Sequence, residues 1–114
     1  MKVINVTPGN YIEYETTAKS IIFGEDEDLS INLKNREADD KVVIDICFDR
    51  DGNLTMGTAA GLRYAAQVEI PPRQYTEEEQ ENPNKGQDGE PDTITVFVPV
   101  PFNIDNCTLY LWSI

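Results

Sequence analysis

No histidine occurs anywhere in this chain of 114 residues. A Ser-His-Asp triad, a Cys-His dyad and a histidine-ligated zinc ion are therefore excluded. The two cysteines, Cys47 and Cys107, are too few for a four-cysteine zinc site. The opening Met1-Lys2-Val3-Ile4-Asn5 has no apolar signal region, so export is not expected and both thiols are expected to stay reduced. Apolar runs stop after a few residues, far short of the ~20 needed to span a bilayer. Glycine-rich phosphate-binding patterns are missing as well. Basic residues are scarce: 9 Lys and Arg stand against 21 Asp and Glu, a formal charge of −12. Direct binding to nucleic acid or to an anionic membrane needs a positive footprint, so neither is expected.

What is present is strand signal. Short segments rich in β-branched and aromatic residues recur at Lys2–Val6, Tyr11–Thr16, Lys19–Phe23, Leu29–Lys34, Val42–Phe48, Leu54–Met56, Ala65–Ile70, Thr93–Val100 and Cys107–Trp112. Leu29, Ile31 and Leu33 alternate with Ser30, Asn32 and Lys34, and Ile44, Ile46 and Phe48 alternate with Asp45, Cys47 and Asp49. That period of two marks strands with one wet face. Asp51-Gly52 predicts a hairpin joining Val42–Phe48 to Leu54–Met56. One short helix is a candidate at Thr58–Ala66, weakened by Gly61 in its middle. About nine short strands predict a single all-β domain over 1–114, an antiparallel β-sandwich or a small barrel, with a radius of gyration of roughly 13 Å. The strand at the C-terminus is apolar on both sides, with Leu109 and Leu111 on one and Tyr110, Trp112 and Ile114 on the other. It is expected to lie centrally in the fold, or else to be covered by a second copy in a homo-oligomer.

The acids are clustered. Glu25, Asp26, Glu27 and Asp28 run without interruption, and Glu77, Glu78, Glu79 and Glu81 follow later. Residues 73–92 hold seven acids, Asp88, Glu90 and Asp92 among them, against the two bases Arg73 and Lys85. With Pro83, Gly86, Gly89 and Pro91 and few apolar residues, this segment is expected to be a flexible acidic insertion loop. The segment from Cys47 to Leu54 mimics the start of a calcium loop. Cysteine replaces its first aspartate and Thr58 its bidentate glutamate, so a plain hairpin turn is expected and no metal or other cofactor.

Carboxylates at i and i+2 of a strand project from one face about 6.6–6.8 Å apart. Glu13 with Glu15, and Asp45 with Asp49 and Asp51, can form rows whose charge density approaches that of a nucleic-acid backbone. The sequence therefore points to a non-enzymatic, cytoplasmic binding protein that docks on the basic surface of a nucleic-acid-handling protein and inhibits it by mimicry. The expected contact residues are Glu25 to Asp28, Asp49 with Asp51, and Glu77 to Glu81. An accessory protein of a virion, forming a symmetric oligomer, is the alternative. Carbohydrate binding through Tyr11, Tyr14 and Tyr75 is a weaker third reading.

The stretch from Ala65 to Tyr75, the acidic segment after it, then Pro101 to Asp105 and Thr108 to Trp112, resembles small uncharacterised proteins of tailed phages and prophages in gut Firmicutes. The resemblance covers about the C-terminal half. It implies a phage context, in which counter-defence inhibitors such as anti-CRISPR or anti-restriction proteins and virion accessory proteins both belong. It implies no activity, and no functional residue is carried over from it.

Overall fold

A computed structural model describes every residue except Lys85, Gln87 and Asp88, so that base and that acid of the 73–92 segment lie outside the described residues. Nearly all regular structure is β. A five-stranded sheet has the order β1-β10-β7-β5-β6, built from β1 (Lys2–Asn5), β5 (Val42–Phe48), β6 (Leu54–Met56), β7 (Arg63–Ile70) and β10 (Thr108–Leu111). A three-stranded sheet joins β2 (Tyr14–Thr16), β3 (Ser20–Phe23) and β4 (Leu29–Asn32). A separate two-stranded ribbon pairs β8 (Tyr75–Glu81) with β9 (Thr93–Pro99). Two expectations need correction here. The large sheet leaves β1 and β6 as its outer strands, so it does not close into a barrel, and β1 runs parallel to β10 while the other pairs are antiparallel.

One hydrophobic cluster joins the two larger sheets. Ile21 and Phe23 of β3 and Ile31 of β4 share it with Ile44 and Ile46 of β5, Val68 and Ile70 of β7, and Leu109 and Leu111 of β10. The strands contribute alternate residues, as the period of two requires, except that β7 adds the adjacent Ala65 and Ala66 where its register with β5 shifts. β10 is an interior strand, hydrogen-bonded on both edges, to β1 and to β7. Its inner residues fill the core. On its outer side Trp112, just past the strand, stacks on Tyr64 with ring centroids 4.9 Å apart, and the Tyr110 hydroxyl donates to Glu69 Oε2 at 2.9 Å. That hydrogen bond, with Lys41 Nζ 3.3 Å from Glu69 Oε1, holds the Glu69 carboxyl below its usual range.

The candidate helix at Thr58–Ala66 does not form. Residues from Gly57 to Leu62 make a bend that folds over Cys47, and β7 begins at Arg63. Cys47 is therefore 2% exposed although alternation places it on the wet face. A β-bulge between Ile46 and Cys47 accommodates the bend. Gly61 is required there: a Cβ would lie 2.7 Å from the Cys47 Cβ and 3.0 Å from its sulfur. Gly61→Ala is expected to destabilise the fold by about 1–3 kcal/mol through overpacking, measured by urea unfolding. An unchanged midpoint would mean the bend does not sit on Cys47.

Both cysteines are free and buried. Burial pushes the Cys107 thiol up to about 11, and burial followed by the Asp45 charge raises that of Cys47. A raised thiol pKa leaves less thiolate at any pH below it. At pH 8 neither should react with an aromatic disulfide reagent in the folded protein, and both should react after denaturation. A fast native thiol would contradict this packing.

The largest correction concerns the acidic segment. Tyr75–Glu81 is a strand, not a loop, paired in continuous register with β9 from Tyr75↔Pro99 to Glu81↔Thr93. Asn82 closes the ribbon, with its Nδ2 donating to the Pro91 carbonyl at 2.8 Å. Because among the described residues β8 and β9 pair only with each other, they form an arm. The chain is accordingly long, 68 × 25 × 23 Å with a radius of gyration of 20.1 Å, not the roughly 13 Å of a compact domain of this size.

Candidate functional site

The ten acids singled out from the sequence occupy two regions. Strand β5 explains the division. Its Val42 end pairs with Ile70, just before the arm, and its Phe48 end pairs with Arg63 and Leu54, beside the Asp49–Asn53 turn. Glu77, Glu78, Glu79 and Glu81 thus belong to the arm at one end of the large sheet. Asp49 and Asp51 lie off the other.

The structure brings Glu25 to Asp28 close to that second turn. A cleft of about 280 Å³ is lined by Gly24 and Asp28 on one side and by Phe48, Gly52 and Asn53 on the other. A second cleft, of about 390 Å³, adjoins it through Ile12 and Gly24. Glu13, Glu15, Glu25 and Glu27 all line this second cleft, and Tyr11 and Tyr14 are half-buried in its lining. Glu13 and Glu15 were legible as an alternating pair; their grouping with Glu25 and Glu27 around one cleft was not, because it depends on how β2 meets β3.

Local geometry sets this turn. The Gly24 N–H donates to the Glu13 carbonyl at 2.9 Å, which ties the turn to the segment that carries Glu13 and Glu15. Gly24 has φ +93°, and a Cβ there would fall 2.1 Å from Asp28 Oδ2. Asp28 thus folds back over Gly24, and Glu27, at φ 56°, takes a left-handed conformation that turns the chain. Asp49 has a similar internal task. Its Oδ1 accepts from the N–H groups of Asp51 and Asn53, each at 2.9 Å, and so caps the hairpin turn. Glu25, Asp26, Glu27 and Asp51 are left exposed.

The ion pairs among the described residues go elsewhere. They use Asp105 with the N-terminus, Glu69 with Lys41, and Glu37 and Asp39 with Arg73. The last of these bolts the arm's base: Arg73 Nη2 donates to the Glu37 carbonyl at 2.9 Å, and the Tyr75 hydroxyl donates to Asp39. None of these pairs involves the cleft acids. Its four glutamates and two tyrosines are chemically suited to a lysine or arginine side chain, whose head meets carboxylates while its stem lies on an aromatic ring.

On the arm, directly opposed residues share a face. Glu77, Glu79 and Glu81 lie with Phe97, Thr95 and Thr93; Glu78 and Gln80 lie with Val96 and Ile94 on the reverse. Comparison with protein-family models, with curated proteins and with solved structures finds no match to this chain.

Proposed function

We propose that this protein acts without catalysis, by docking its acidic cleft on the basic surface of a nucleic-acid-handling protein in the host cytoplasm and blocking it. The observation that carries the reading is the four-glutamate cleft, whose carboxylates the ion pairs among the described residues do not use. Four carboxylates grouped around one cleft give a local density of negative charge like that of the phosphate backbone that such a partner binds. The two larger sheets, sharing one core, then serve as a small open sandwich that presents the cleft at one end.

Affinity of this kind rests on complementary charge and weakens steeply with salt. The test is capture of partners from a host lysate on the immobilised full-length protein, at low and at high salt, with mass-spectrometric identification. A basic nucleic-acid-handling protein should be retained at low salt and released at high salt. Recovery of no basic protein at low salt would refute the reading.

A further inference from the structure

We infer that the β8–β9 arm is a dimerisation element, in which β9 pairs edge to edge with β9 of a second copy. This goes beyond the reading above, since it concerns the arm and not the cleft. A two-stranded ribbon exposed on both faces is marginal in water and gains from further strands. The two edges of this ribbon differ. On β8, Tyr-Thr-Glu-Glu-Glu-Gln-Glu guards its edge with four carboxylates, as solitary edge strands usually are guarded. On β9, Thr-Ile-Thr-Val-Phe-Val-Pro carries no charge at all along the same length. Its Phe97 is 67% exposed and Ile94 is 36% exposed.

The backbone pattern gives a register. The Val100 N–H donates to the Gln74 carbonyl and the Asn82 N–H to the Asp92 carbonyl, at 2.8 and 2.9 Å. Antiparallel ladders alternate, so Ile94, Val96 and Val98 turn their backbone groups toward β8. Those of Thr93, Thr95 and Phe97 face the open edge. A two-fold axis at Val96 then sets Thr95 against Phe97 of the second copy, with both residues supplying donors and acceptors. The same axis sets Val96 against Val96, and Ile94 against Val98 of the second copy, which makes one apolar row continuous across the seam. The glutamates end up on the two outermost strands, separated by both copies of β9. Charge therefore favours this arrangement over β8–β8 pairing, in which they would face one another.

Sedimentation of the full chain across concentration should show a species of twice the 12.8 kDa chain mass. Monomer mass throughout overturns the proposal, and it is also the result expected if a foreign protein's strand occupies the edge instead. Val96→Cys should form a disulfide-linked dimer under mild oxidation, while Ile94→Cys and Glu78→Cys should not; the native cysteines are buried and silent. Equal cross-linking by all three, or by none, overturns the pairing. Thr95→Pro removes an outward donor without touching the β8 ladder, and should weaken dimerisation by about tenfold or more. Undiminished dimerisation of that variant would also overturn it.

Discussion

Phe23→Ala should remove about 3–5 kcal/mol of stability, a large share of the 5–15 kcal/mol typical of a domain. Phe23 is fully buried, and it joins the three-stranded sheet to the core of the larger one. Deleting its ring leaves a cavity that neighbouring strands, fixed by their ladders, can fill only in part. Phe23 also directly precedes Gly24 and the acidic turn, and pairs across to Tyr14, which lines the cleft. Loss of the ring should therefore loosen the cleft lining at both Tyr14 and Gly24. Urea unfolding checks the first effect, with Val43→Ala, 44% exposed, as a control expected to change stability by less than about 0.5 kcal/mol. A Phe23→Ala cost no larger than that of the control would mean the two sheets do not share a core.

The second large effect concerns binding. Reversing charge at Glu25→Lys and Glu27→Lys puts two cations into the cleft lining beside Glu13 and Glu15, which should cancel its negative charge and repel a basic side chain. Steering by a focused field is worth roughly 10–10³-fold in association rate. The double variant should bind a basic partner about a hundredfold more slowly at low ionic strength, and the difference should shrink as salt is added. Both side chains are exposed, so the folded structure should be unaffected. Glu77→Lys with Glu79→Lys on the arm is the matched comparison. If only the arm variant loses binding, the interface lies on the arm and the cleft reading fails.

Unequal parts of this molecule were legible beforehand. The β4 and β5 alternations and the Asp51-Gly52 hairpin stand in the structure, where Gly52 takes φ +79°. Each of these signals is local. An interior position for β10, here between β1 and β7, was one of the two outcomes that its doubly apolar pattern predicted. Strand β8 was not legible. Its seven residues are all exposed, so no apolar period marks it, and a run of glutamates has the composition of a disordered segment. It is a strand because β9 pairs with it, and pairing partners are not written in either segment alone. Cys47 failed for a related reason: alternation put it toward solvent, but the bend at Gly61 lies on top of it.

By itself the sequence determined the all-β character, the lack of any histidine chemistry and the abundance of clustered carboxylates. These follow from composition and from a two-residue period, both properties of neighbours along the chain. Only the tertiary structure decided that the acids divide between a cleft and an arm, that Glu13 and Glu15 line one cleft with Glu25 and Glu27, and that one long strand edge is left without charge. Those are distances between segments far apart in the chain, set by which strands pair and how the two larger sheets pack, and no local pattern encodes them.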